Sequence, residues 1–164
     1  NAKLCYRASY LSIIEYDCYL LYAVIFNNRK IAGSVAELGV YRGDFAKVIN
    51  EVFPDRKLYL FDTFEGFPER DMKYERKNCL LMTEVGRLAN TSVEYVLNRM
   101  PHRENCIVKQ GYFPDTVQGL EEERYAFVNI DVDLYKPILA GLEYFWPRLV
   151  DGGYMLLHTL SKYP

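Results

Sequence analysis

Four stretches of the chain gather residue types that can do chemistry. The first is VAELGVYRGDF, where Glu37, Gly39, Tyr41, Arg42 and Gly43 fall between a β-prone run and a helical one. Its two glycines let the backbone turn tightly and approach a ligand, and the start of the helix offers unpaired N–H groups. The spacing is E-x-G-x-x-x-G rather than the G-x-G-x-x-G of a dinucleotide loop. A carboxylate at that strand end repels a pyrophosphate and suits a ligand carrying an ammonium group. An ordinary strand–turn–helix corner has the same composition.

The second stretch is FDTFEGFP, in which Asp62 closes a strand. A carboxylate there can accept hydrogen bonds from ribose hydroxyls, although an isolated Asp at a strand end also caps helices and forms turns. The third is QGYFPDTV: Gly111 with Tyr112 and Phe113 can line an adenine slot beside Gln110, while Phe113 and Val117 fit a core equally well. The fourth is NIDVDLYKP. Period-two alternation puts Asp131 and Asp133 on one face, where two carboxylates repel unless a cation, a proton or a basic group lies between them. Either they form a Mg²⁺ site, or Asp133 caps the next helix and only Asp131 faces the pocket. His158, at the end of the last strand, is a candidate ligand or base; His102, in a polar turn, reads as surface.

These residues need elements to position them. Strand-like runs over residues 34–40, 57–62, 105–109, 125–131 and 154–158 alternate with helical runs over 45–52, 91–100 and 135–146. Asp44 is the expected cap of the first helix, and Thr91 with Glu94 form a capping-box pattern before the second. Residues 1–30 read as an N-terminal helical segment, with the helix itself over residues 9–28. Residues 63–90, long, polar and weakly periodic, read as a lid or acceptor loop. Strands alternating with helices at this spacing imply a Rossmann-like, doubly wound, mostly parallel α/β sheet in a single domain spanning residues 1–164. The sequence stops soon after the fifth strand, so the expectation is a fold shortened there. An apolar strand left at a sheet edge invites pairing, so a homo-oligomer is expected.

Composition narrows the function classes. The 164 residues carry 20 Lys plus Arg against 22 Asp plus Glu, a net charge of −2 that offers no basic excess for nucleic acid. Four scattered cysteines form no metal-ligand spacing and no disulfide framework. Neither a leader pattern nor a run long enough to span a bilayer stands out, which points to the cytoplasm. Fifteen Tyr and nine Phe beside one Trp suit a pocket, an interface or a tyrosine-rich core.

Taken in order, VAELGVYRGDFAKVI, LYLFDTFEGFP, VKQGYFPDTV, FVNIDVDLYKP and GGYMLLH resemble the macrocin O-methyltransferase family across residues 35–158. Its members are class I methyltransferases that use S-adenosylmethionine, many of them on sugar hydroxyls. The resemblance implies that Glu37, Gly39, Tyr41, Arg42 and Gly43 surround the methionine moiety. It places Asp62, Thr63 and Phe64 at the ribose, and Gln110, Gly111, Tyr112 and Phe113 near the adenine. Asp131 matches the first metal-binding carboxylate of the metal-dependent members. With Asp133 or His158 it supplies the convergent polar groups for transfer of a methyl group to a hydroxyl of a sugar or glycosylated small molecule. Thr159 stands where the family carries a further carboxylate, which counts against Mg²⁺. The alternative function is a domain that keeps the nucleoside pocket without turnover.

Overall fold

The computed structural model describes residues 3–7, 31–78, 80 and 83–158. Six strands form one sheet: β1 (Lys3–Arg7), β2 (Ser34–Leu38), β3 (Leu58–Asp62), β4 (Cys106–Gln110), β5 (Tyr125–Ile130) and β6 (Leu149–His158). Their order is β1-β6-β5-β2-β3-β4, and every pairing is parallel. Parallel strands covered on both faces read as continuous apolar runs. All residues of β2 and β5 are accordingly buried.

Among the described residues four α-helices accompany the sheet: α1 (Asp44–Val52), α2 (Glu69–Lys77), α3 (Val93–Leu97) and α4 (Tyr135–Phe145). On one face of the sheet, Ala46 and Ile49 of α1 and Val96 of α3 pack with Val35, Leu60 and Phe127. On the other, Tyr144 and Phe145 of α4 pack with Ala36, Phe61, Tyr125 and Met155. Tyr59, Phe61 and Phe113 join Tyr125, Tyr144 and Phe145 in an aromatic cluster here. Phe145 lies within 5.0 Å of Tyr125 and 5.7 Å of Phe61, both edge-on, a geometry that adds to simple burial. Tyr125 is fully buried and its hydroxyl lies 3.4 Å from that of Tyr144. From β2 the chain winds one way through β3 to β4, while β5 and β6 wind the other. That reversal opens a crevice at the carboxyl ends of β2 and β5, where ligands bind in sheets of this kind.

Several local expectations change. Asp44 is the first residue of α1, not its cap; the cap is Gly43 at φ 74°, without a side-chain hydrogen bond. The Asp44 carboxylate instead meets Arg99 at 2.5 Å. Ser92 caps α3 by accepting the Tyr95 N–H, while the Thr91 hydroxyl donates to the Tyr41 carbonyl. The last strand begins at Leu149 rather than at residue 154 and takes in Asp151, Gly152 and Gly153, where its register with β5 shifts by a bulge. Residues 63–90 are not irregular throughout, since they contain α2. The edge of β6 that looked open is paired with β1, which removes the open strand edge as a ground for self-association. Within the segment expected to be helical over residues 1–30, Lys3–Arg7 forms the edge strand β1 instead, paired with β6, and the helix expected over residues 9–28 lies outside the described residues.

Candidate functional site

A cleft of about 630 Å³, open mouth included, lies over the carboxyl ends of β2, β3, β4 and β5. Its floor comes from Leu38, Gly39 and Phe61, one wall from Gly111, Tyr112 and Phe113, and another from Asp131, Val132 and Asp133. Residues 63–90 close it with Phe67, Asp71 and Leu88, which are anchored through a small cluster of Phe67, Met72 and Leu134. Four carboxylates line the cleft (Asp62, Asp71, Asp131 and Asp133), and among the described lining residues there is no Lys, Arg or His. Tyr41, Leu88 and Asp133 also line it, and each holds a positive φ without being glycine. Backbone strain of that kind persists where the surrounding structure enforces it, commonly at ligand sites.

Asp62 organises the first turn. Its Oδ2 accepts the N–H groups of Val40 and Tyr41, both at 2.7 Å, and its Oδ1 accepts the Phe64 N–H at 2.7 Å. A carboxylate offers about four acceptor positions, so Asp62 keeps room for roughly one further donor from the cleft. Gly39 is required by a close approach between strands. At φ 91° its position for a Cβ would fall 2.1 Å from the Asp131 carbonyl oxygen. The Tyr41 hydroxyl donates to Asn90 Oδ1 at 2.7 Å, tying the turn to the end of the lid segment.

Not every residue expected at the cofactor reaches the cleft. Glu37 lies beneath the turn on the α1 face, 2 % exposed, with Asn129 Nδ2 donating to its Oε1 at 2.8 Å and no partner on its Oε2. Burial pushes its carboxyl well above the usual range, opposed by the Asn129 amide and reinforced by the charges of Asp131 and Asp62. Gly43 packs against Val96 and Met100, and the Arg42 guanidinium lies 5.3 Å from the Tyr95 ring centre. Phe64 belongs to the core on the α1 face, and Gln110 is exposed outside the lining. Thr63 does line the cleft, but its hydroxyl closes a local turn, accepting from Glu65 N–H and donating to the Gly66 carbonyl. Phe113 does both things the sequence left open: it lines the cleft and stacks on Phe145 in the core.

The last pair is brought together as expected. His158 Nδ1 lies 2.9 Å from Asp131 Oδ1, with side chains 14 % and 35 % exposed. Asp131 lines the cleft, whereas His158 sits behind it and reaches the cleft through Asp131. Asp133 is no helix cap, because α4 is preceded by Leu134 without a side-chain cap, and it lines the cleft at φ 58°. Among the described residues no group of three or more His, Cys, Asp or Glu converges as metal ligands. Thr159 lies outside the described residues. The pattern reading missed Asp71 altogether, a buried carboxylate on α2 whose Oδ1 accepts from the Tyr112 hydroxyl at 2.9 Å.

The family model described as Macrocin-O-methyltransferase (TylF) matches residues 21–163. The chain belongs to this family. It is 28% identical over 141 residues to the 8-demethyl-8-(2,3-dimethoxy-alpha-L-rhamnosyl)-tetracenomycin-C 4'-O-methyltransferase of Streptomyces olivaceus, covering 77% of the chain and 52% of that protein. It is 27% identical over 143 residues to the mycinamicin III 3''-O-methyltransferase of Micromonospora griseorubida, covering 77% and 55%. The chain thus spans about half the length of these relatives. Among solved structures, the O-methyltransferase NovP superposes with a TM-score of 0.66 at 23% identity, covering 87% of this chain and 62% of that one. The calicheamicin methyltransferase CalS11 gives 0.62 at 22% identity, covering 84% and 60%. Both likenesses show the shared α/β fold. Among the described residues no helix is long and apolar enough to cross a membrane.

Proposed function

We propose that this macrocin-O-methyltransferase family chain binds S-adenosylmethionine in the cleft and transfers its methyl group to a hydroxyl of a sugar or glycosylated small molecule. The observation that carries the reading is the charge of the cleft, with four carboxylates and no basic side chain among its described lining residues. Such a site repels the pyrophosphate of a dinucleotide and favours a ligand bearing sulfonium and ammonium charges. The remaining acceptor position of Asp62 suits the ribose, and the Gly111–Phe113 wall suits a flat base. Glu37 acts from below, through the turn it supports, rather than by touching the cofactor.

Methyl transfer is an in-line displacement at a sulfonium methyl, so the protein must align the acceptor oxygen and take its proton. Asp131 is the group placed to accept that proton. His158 orients it: with Nδ1–H donating to Asp131 Oδ1, the imidazole holds the carboxylate in place and in its ionised form, ready to take the proton. No step is assigned to a metal ion. The second reading, cofactor binding without turnover, is favoured by this same pair, because an Asp131 closed onto His158 also satisfies a structural role. Retention of radiolabelled S-adenosylmethionine by the chain, challenged with S-adenosylhomocysteine and with NAD, tests the proposal. Displacement by the first and not by the second is expected. Displacement by NAD at equal concentration contradicts it.

A further inference from the structure

Asp71 is the cleft group that the mechanism leaves unused. It lies on α2, in the segment that closes the cleft, and is 1 % exposed while still lining it. Its Oδ1 accepts from the Tyr112 hydroxyl, but its Oδ2 is shielded from water and has no hydrogen-bond partner among the described residues. A carboxylate oxygen kept dry without a donor is costly, and the cost disappears when a ligand supplies one. The nearest cation on its own helix does not serve it. The Arg70 guanidinium lies over the Tyr112 ring and pairs with Asp115 at 3.8 Å. Glu75, one turn further along α2, is itself buried and accepts the Tyr135 N–H at 2.8 Å, so a second negative charge faces the same interior. Only a donor entering from the cleft remains among the groups described there.

The surroundings define that donor. Tyr112, which Asp71 holds, follows Gly111 on the β4 side of the cleft, and Phe61, Phe113, Phe67 and Pro137 supply flat apolar walls around it. Walls of this kind accept a planar aromatic base, and one polar group at the edge of such a slot fixes which base fits. From this juxtaposition we propose that Asp71 reads the purine of the cofactor, its Oδ2 accepting a hydrogen bond from the exocyclic amino group of adenine. Asp71 is thereby a specificity residue for an amino-purine over an oxo-purine. The inference rests on the cofactor reading given above.

The test compares S-adenosylhomocysteine with S-inosylhomocysteine, in which a carbonyl oxygen replaces the amino group, by calorimetric titration of the full chain. The wild-type protein should prefer the adenosyl compound by roughly ten- to a hundred-fold, the span of a hydrogen bond to a buried charge. Asp71→Asn keeps the shape and the Tyr112 hydrogen bond, and its amide can turn an N–H toward the inosyl carbonyl. The preference should then collapse to within about threefold. Asp71→Ser, which removes the carboxylate with little bulk, should give the same collapse and serves if the first variant folds poorly. An unchanged ratio in the folded Asp71 variants, or no preference in the wild type, overturns the assignment and leaves the cofactor reading standing. Failure of the folded wild-type chain to bind S-adenosylhomocysteine removes both.

Discussion

Asp62→Ala is the perturbation whose consequence the structure defines most fully. One carboxylate receives three backbone N–H groups, those of Val40, Tyr41 and Phe64, all at 2.7 Å. They belong to two different turns, one after β2 and one after β3, so Asp62 locks together the two loops that form the floor of the cleft. Hydrogen bonds to ionised acceptors contribute about 1.5–3 kcal/mol each. The site is only partly buried, so water replaces some of what is lost, and the three together should amount to about 2–4 kcal/mol. Urea unfolding followed by circular dichroism should show that loss as a lower midpoint with an unchanged slope. Asp62→Asn, which keeps one accepting oxygen, should fall between wild type and Asp62→Ala. The affinity for S-adenosylhomocysteine should drop by at least about tenfold as well, since the floor of its site is no longer fixed. A folded Asp62→Ala protein within about 0.5 kcal/mol of wild type would refute the idea that this carboxylate organises the loops.

Other outcomes follow from the same geometry. Gly39→Ala should destabilise the fold by at least about 2 kcal/mol in the same urea assay, because its Cβ would overlap the Asp131 carbonyl at a backbone angle that disfavours side chains. Phe145→Ala, emptying the aromatic cluster on the α4 face, should cost about 3–5 kcal/mol. Glu37→Gln should alter the pH dependence of stability. The folded state holds the Glu37 proton more tightly than the unfolded chain, so in the wild type this group lowers stability as pH rises from the usual carboxylate range toward its raised folded value. Melting temperatures measured across that range should fall less steeply in the variant, and identical slopes would contradict the burial argument. In a methyl-transfer assay, Asp131→Asn should lower kcat by about 10²–10⁴-fold with S-adenosylhomocysteine affinity nearly kept, while His158→Ala should lower it less.

Much of this was legible in the sequence, for reasons that differ from residue to residue. Five of the six strands were visible, the central ones because a parallel sheet buried on both faces demands unbroken apolar runs, as in KLYLF and YAFVNI. β1 was not, since KLCYR is short, bounded by charges and lies at an edge, where periodicity is weakest. α2 was hidden for a more instructive reason. Its sequence ERDMKYERK has almost no apolar face, and two of the three residues it buries are Asp71 and Glu75. A helix that turns carboxylates inward leaves no hydrophobic stripe to read, and the site residue it carries was missed with it. Asp131 and His158 were found because adjacent strands must bring their carboxyl ends together. Glu37 and Phe64 were placed at the cofactor by motif, yet one layer of packing separates each from the cleft; sequence spacing fixes the strand end but not how deep a side chain sits.

The central claim is that the acidic cleft at the β2–β5 crevice holds S-adenosylmethionine. Calorimetric titration of the purified, folded chain with S-adenosylhomocysteine, with and without Mg²⁺, tests it most directly. Micromolar binding at one ligand per chain, weakened in Asp62→Ala and independent of Mg²⁺, is the predicted result. A chain that is folded by circular dichroism yet gives no heat of binding under either condition would contradict it.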